Sequence, residues 1–385
     1  MIQKAERLQS VTEYYFSKKL REVAALRKEG KAIINMAIGS PDLPPPANVI
    51  EALNSITETT CAHQYQSYQG IPELREAIAD FYHKHYRVSL DSNQEILPLM
   101  GSKEGIMHIS MAFLNKGDGV LIPNPGYPTY ASVSNLVEAK VISYDLNDSN
   151  NWQPNYEELE KQDLSNVKIM WLNYPHMPTG ASATKDDFKK AVSFAKKHDL
   201  LIVNDNPYSF VLNDKPQSIL EIEGAKEVAI ELNSLSKTFN MAGWRVGMVV
   251  GEASIIKTIL QVKSNMDSGM FLGIQKGAIA ALQSPNSWFE ELNITYVKRR
   301  EIVWQIFDAL QCSYNKKSAG LFVLAKLPKG EDSIEFIDRL LQEKAVFIAP
   351  GTIFGSNGEG YIRASLCVSE KLLKEVLNRI STVKI

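Results

Sequence analysis

Three polar residues recur at an even interval: Asn173, Asp205 and Lys237 stand 32 residues apart in turn. Each comes at or just after the end of a short apolar run, VKIMWL, LLIVN and VAIELN respectively. Lys237 lies in NSLSKTFNMAGWRVG, shortly after Ser234 and Ser236 and shortly before Arg245. A charged amine between two apolar strands is costly unless it is paired. Partly withdrawn from water, such an amine holds its proton less tightly and can attack a carbonyl to form a Schiff base. A carboxylate such as Asp205 can keep a basic ring nitrogen protonated. Gly101-Ser102-Lys103 opens a helical stretch, and a helix start offers free N–H groups and a favourable dipole to a phosphate. Arg245 adds a planar fork for the same anion, and the two serines add hydroxyl donors.

Taken singly, each of these has a plainer role. Ser102 could cap a helix, Asp205 before Asn-Pro could shape a turn, Lys237 could reach along the surface, and Arg245 could sit in a structural ion pair. Their joint placement argues otherwise, and it follows from the elements that carry them. ILPLM, VLIP, VKIMWL, LLIV, VAIELN and VGMVV are continuous apolar runs, and helical patterns such as EGIMHISMAFL and DDFKKAVSFAKKHD fall between some of them. That texture predicts buried parallel strands in βαβ units. In open α/β sheets, ligands bind beyond the carboxyl ends of the strands, where these polar residues fall. After about residue 275 the pattern changes to a long charged helix and a smaller α+β unit containing GLFVLAKL, VFIAP and YIRASL. A helix near the N-terminus could pack on either unit.

Composition excludes several classes. Of 385 residues, 44% are hydrophobic and 22% charged, with a net charge of −2, which is ordinary for a globular protein without a basic face for nucleic acid. Cys61, Cys312 and Cys367 are far apart and form no CxxC pair, so neither a disulfide framework nor a zinc knuckle is expected and a reducing cytoplasm fits. The N-terminal stretch lacks the apolar core of a signal peptide, and no segment is long and apolar enough to span a membrane. His83-Lys84-His85 lacks a third ligand at metal-binding spacing and reads as a solvent-facing helix. A ligand that satisfies the polar edge needs one phosphate, one aldehyde and one basic ring nitrogen, which describes pyridoxal phosphate.

The chain also resembles the fold-type I aminotransferases of the aspartate aminotransferase superfamily. The resemblance runs through GSPD (Gly39–Asp42), YQSYQGIPELREAIA (Tyr65–Ala79), GSKEGI (Gly101–Ile106), PNPGYPTY (Pro123–Tyr130), NYPHMPTG (Asn173–Gly180), DNPY (Asp205–Tyr208), SLSKTFNMAGWRVG (Ser234–Gly247) and YIRASL (Tyr361–Leu366). It implies a doubly wound, mostly parallel seven-stranded sheet in a large domain of residues 45–275, with 1–44 plus 276–385 forming a smaller α+β domain. It implies an enzyme that moves an amino group between an L-amino acid and a 2-oxo acid by a ping-pong route. Lys237 is then the Schiff-base lysine and proton carrier, and Asp205 the partner of the ring nitrogen. Tyr208 and Asn173 serve the ring's phenolic oxygen, and Tyr127 stacks on its face. Ser102, Lys103, Ser234, Ser236 and Arg245 hold the phosphate. Tyr65 reaches the phosphate of a neighbouring subunit, which implies a homodimer with the Ser264–Phe271 stretch at its interface, and Arg363 and Gly39 receive the substrate carboxylate.

Two departures stand out. Where the family pattern has a second asparagine in N-x-P-x-N-P-T-G, this chain has Met177, and no second arginine is available for a side-chain carboxylate. GSKEGI, NMAGWRVG and KSNMDSGMF are similar to the branch containing LL-diaminopimelate, alanine and broad-specificity aminotransferases. A carbon–sulfur β-lyase on the same fold would need the same lysine and remains the alternative. A non-catalytic sensing domain, as in some transcription regulators, would need a DNA-binding module, for which the 38 residues ahead of GSPD are too few.

Overall fold

The computed structural model describes residues 2–9 and 15–381. Helix α1 (Tyr15–Lys28) leads to strand β1 (Ile34–Asn35), then to α2 (Ala47–Thr57) and α3 (Pro72–Tyr86). An alternating run follows: β2 (Ile96–Leu99), α4 (Ser102–Phe113), β3 (Gly119–Asn124), α5 (Thr129–Leu136), β4 (Lys140–Asp145), α6 (Tyr156–Leu159), β5 (Val167–Leu172), α7 (Lys185–His198) and β6 (Leu201–Asp205). Then come β7 (Ala229–Ser234), the single turn α8 (Leu235–Thr238), β8 (Gly247–Val250), α9 (Ala253–Lys263) and α10 (Leu272–Leu282). The remainder is α11 (Asn286–Ala309), β9 (Ser313–Tyr314), β10 (Phe322–Lys326), α12 (Ser333–Lys344), β11 (Val346–Phe347), β12 (Ala349–Pro350), β13 (Tyr361–Ser365) and α13 (Glu370–Ser381).

Seven strands form one sheet in the order β2-β8-β7-β6-β5-β3-β4. All neighbours pair in parallel except β8, which runs antiparallel to β2 and β7. Side chains alternate across the sheet, so Ile169, Trp171 and Val203 join one apolar cluster with α4, α5 and α9, while Met170, Leu172 and Ile202 join another with α3, α7 and α10. Burial on both faces explains why the central strands read as unbroken apolar runs. Strand β4 did not declare itself that way. It lies at the edge of the sheet, pairs only with β3, and most of its residues are partly or fully exposed.

The two ends of the chain meet. β1 pairs in parallel with β11, matching Ile34 to Val346, and α1 stacks Phe16 on Phe347 at 6.1 Å. Val23, Ile34 and Met36 share an apolar cluster with Phe307, Phe347, Ile362 and Leu373. The N-terminal helix thus packs with the C-terminal segment, beside an antiparallel sheet ordered β12-β13-β10-β9. One expectation needs correction. His83 faces solvent, but His85 is half-buried against Phe81, Phe210 and Phe289, and burial pushes its pKa down to about 4. Residues two apart on a helix face different sides, so the pair does not share one surface.

Candidate active site

The parallel strands β5, β6 and β7 end side by side, and Asn173, Asp205 and Lys237 line one cavity of about 370 Å³ at that edge. Asp205, the last residue of β6, is buried. The Tyr130 hydroxyl donates to its Oδ2 at 2.8 Å, and the Tyr130 ring stacks on Trp171 at 4.8 Å. Oδ1 has no hydrogen-bond partner in the protein. Burial raises the Asp205 pKa to about 7, against the opposing pull of Tyr130 and Lys237. Asn173 fastens the strand ends together. Its Nδ2 donates to the Asp205 carbonyl at 2.6 Å, and its Oδ1 accepts from the Met177 amide at 2.8 Å.

Lys237 sits on the short turn α8, which Ser234 opens by accepting the Ser236 amide on Oγ at 3.1 Å. Lys237 Nζ donates to the Gly39 carbonyl at 2.6 Å. Burial lowers its pKa, and the positive charges of Arg363 and Arg245 add to that effect. Because β8 is antiparallel, it begins where β2 and β7 end, with Gly247 opposite both Leu99 and Ser234. Arg245, two residues earlier, is therefore delivered to the same edge, in a left-handed conformation with φ of 56°. Gly101 has φ of 90°, and a Cβ there would lie 2.0 Å from Arg245 Nη2. A Cβ on Gly247 would lie 2.7 Å from the Ser102 amide nitrogen. The two glycines thus keep open a concavity walled by Arg245, Ser234, Ser236 and the unsatisfied N–H groups that begin α4.

The facing wall comes from other parts of the chain. Arg363 projects from β13 and is buried, its guanidinium 3.8 Å from the Phe322 ring centre and 4.5 Å from that of Phe354. Nη2 donates to the Ala37 carbonyl at 2.7 Å, and Nη1 lies 3.2 Å from Met177 Sδ. Burial lowers the Arg363 pKa to about 10. A Cβ on Gly39 would lie 2.1 Å from the Phe322 ring, so the backbone there passes close to the aromatic wall. Tyr127 packs edge-on to Tyr130 at 5.5 Å, and Tyr208 edge-on to Phe322 at 5.9 Å. Burial pushes the Tyr208 hydroxyl pKa up, so it stays protonated as a donor. Phe16 and Ile38 complete the lining.

Of the residues singled out from sequence, Gly39, Ser102, Lys103, Tyr127, Asn173, Asp205, Tyr208, Ser234, Ser236, Lys237, Arg245 and Arg363 all line this cavity. Tyr65 does not; it is 92% exposed on the loop before α3. Sequence reasoning gave no role to Tyr130, although it stands in PNPGYPTY one helical turn beyond Tyr127 and is the residue that holds Asp205. Phe16, Ile38 and Phe322 were also missed. Nothing local marks them, since each reaches the cavity only through tertiary packing.

This arrangement has relatives. Among solved structures, substrate-bound BacF from Bacillus subtilis superposes with a TM-score of 0.95 at 35% identity, covering 99% of this chain and 98% of that one. A mutant of Thermus thermophilus aspartate aminotransferase superposes at 0.92 with 25% identity, covering 99% and 100%. The fold is thus an aspartate-aminotransferase-like α/β fold. The sequence pattern of the family "Aminotransferase class I and II" matches residues 31–380. An LL-diaminopimelate aminotransferase of Dehalococcoides mccartyi is 40% identical over 382 residues, 99% of this chain and 98% of that protein. One from Maridesulfovibrio salexigens is 42% identical over 380 residues, 98% of each. The chain belongs to the class I and II aminotransferases and is a transaminase.

Proposed function

We propose that this cavity binds pyridoxal phosphate and that its residues move an amino group from an L-amino acid to a 2-oxo acid in two half-reactions at one site. The observation that carries the reading is the buried, unpartnered Oδ1 of Asp205, an acceptor that a protonated ring nitrogen would satisfy. A cation at that position would favour the ionised carboxylate and oppose the effect of burial. The concavity left open by Gly101 and Gly247 supports the phosphate assignment, with Ser102, Lys103, Ser234, Ser236 and Arg245 as its holders. Bound there, pyridoxal phosphate supplies an aldehyde carbon that links reversibly to amines and a ring that draws electrons from the substrate Cα.

The chain's own groups do the rest. Tyr127 covers one ring face, and Asn173 and Tyr208 donate to the phenolic oxygen. Arg363 holds the substrate carboxylate, with Phe322 and Phe354 excluding water from its flat faces. Lys237 Nζ, its pKa lowered, takes the Cα proton as general base and returns it as general acid. The Gly39 carbonyl keeps Nζ close to the carboxylate site. The site is assigned to two domains, 45–275 and 1–44 plus 276–385, in a cytoplasmic homodimer whose Tyr65 completes the neighbour's phosphate cup. Exposure of Tyr65 and three unpaired cysteines support that assignment. The relatives' names favour transamination over the β-lyase alternative, and LL-diaminopimelate is the donor they suggest.

Borohydride reduction of the pyridoxal-phosphate-loaded protein, followed by peptide mapping, should place the label on Lys237. Lys237→Ala should retain the cofactor but lose about 10⁴-fold or more in turnover. A label on another lysine, or near-wild-type turnover of the variant, would overturn the assignment.

A further inference from the structure

Outside the active-site cavity, four ionisable side chains gather where α4 meets the loop between α9 and α10. Glu104 and His108 stand one helical turn apart on α4 and so share a face. Lys263 ends α9, and Asp267 follows it in the loop. His108 and Lys263 are each only 1% exposed. All four side chains belong to one chain. Both ring nitrogens of His108 are already sealed inside it, out of reach of a neighbouring subunit.

The two carboxylates are anchored alike. Glu104 Oε2 accepts from the Met100 amide, and Asp267 Oδ1 accepts from Lys263 Nζ at 2.5 Å and from the Gly269 amide at 2.9 Å. The second oxygen of each approaches His108 Nε2, Glu104 Oε1 at 3.0 Å and Asp267 Oδ2 at 3.9 Å. Yet neither Nε2 nor Asp267 Oδ2 makes a hydrogen bond. The 3.0 Å approach therefore lacks hydrogen-bond alignment. These three atoms lie within 4.8 Å of one another, a spacing that fits a single ion. Zinc binds nitrogen and oxygen at about 2.0–2.2 Å, which sets ligand atoms of a tetrahedral site about 3.3 Å apart. That value falls between the two separations from Nε2.

We propose that Glu104 Oε1, His108 Nε2 and Asp267 Oδ2 form a site for a divalent cation of the zinc type, with water as fourth ligand, tying the start of α4 to the α9–α10 loop. An imidazole ligand suits such ions better than calcium or magnesium. Glu104 is the most exposed of the three, so ion and water enter from its side. Lys263 offsets one of the two carboxylate charges, and His108 Nδ1 has no hydrogen bond to fix the ring. Both features weaken the site relative to a full structural zinc centre, so a Kd of about 1 μM is expected. The rival occupant is a proton on His108, which would balance the remaining charge but leave two buried N–H donors without partners.

The test uses chelator-treated, pyridoxal-phosphate-loaded enzyme. Calorimetry with Zn2+ should show one ion bound per chain with that affinity. His108→Gln and Asp267→Asn should each weaken it by about 100-fold or more, while His83→Gln, at an exposed position of α3, should leave it within about twofold. A variant that fails to fold would also bind nothing, so a second measurement uses the unaltered chain: anomalous scattering at the zinc absorption edge should place the ion among Glu104, His108 and Asp267. No binding below about 1 mM, affinity unchanged in both variants, or an anomalous peak only elsewhere would overturn the inference and leave the proton as occupant.

Discussion

Two buried carboxyl groups lie on neighbouring strands and face opposite sides of the same sheet. Asp205 ends β6; Glu231 lies in β7, opposite Asn204 in register. Burial raises both to a pKa of about 7. Their surroundings differ. Glu231 Oε1 accepts from the Tyr82 hydroxyl at 3.0 Å, and Oε2 accepts from Asn204 Nδ2 at 3.1 Å and from the Ile219 amide at 3.3 Å. Asp205 has Tyr130 on one oxygen and nothing on the other. A shifted pKa therefore does not separate a working carboxyl from a structural one, because desolvation acts on both alike. What separates these two is the open acceptor on Asp205, since a buried polar atom without a partner is a cost that a ligand, ion or water placed there removes.

The contrast can be tested by substitution. Asp205→Asn should reduce kcat by about a thousandfold, because the charge proposed to face the cofactor ring disappears at the reacting centre; a loss below tenfold would leave Asp205 no different in role from Glu231. Across the cavity, Arg363→Lys keeps charge but gives up the fork, and kcat/KM should fall roughly 10- to 100-fold, the worth of one charged hydrogen bond. Gly101→Ala tests the concavity. It places a methyl group 2.0 Å from Arg245 Nη2 at φ of 90°, and should cost roughly 1–3 kcal/mol in stability by chemical denaturation, with weaker cofactor retention. Glu231→Gln should leave turnover within about twofold, since the residue touches no reacting group, and should show its effect in pH-dependent stability. A carboxyl whose folded pKa is raised takes up a proton on folding, so its contribution falls as pH rises from the ordinary carboxylate range toward about 7 and is level above. Melting curves of the apoprotein across that interval should slope less in the variant than in the wild type, while an unchanged slope would show that Glu231 does not titrate there.

The legible parts of the molecule share a physical cause. Central strands β5, β6 and β7 are apolar on both faces, so they stood out as runs, and the βα repeat spaced Asn173, Asp205 and Lys237 evenly along one edge. Edge strand β4 was hidden because exposure on one side dilutes that signal. Tyr65 is marked by a motif, yet the role proposed for it depends on a second chain, and within one chain it is exposed to solvent. Glu231 is unmarked inside an apolar run, since its partners come from α3, β6 and the backbone at Ile219.

Residue types and their periodicity were enough to determine an α/β sheet, the edge where its polar residues gather, and that Lys237, Asp205 and Arg245 lie there, while Arg363 was implied only by the family resemblance. Only the tertiary structure decided that β8 runs backward and so delivers Arg245, that Tyr130 leaves one Asp205 oxygen bare, and that Phe16, Ile38, Met177, Phe322 and Arg363 line the same cavity as Lys237. Local patterns record which face of an element is buried. They do not record what lies against it, because contacts between the two ends of a chain depend on packing rather than on neighbouring residues.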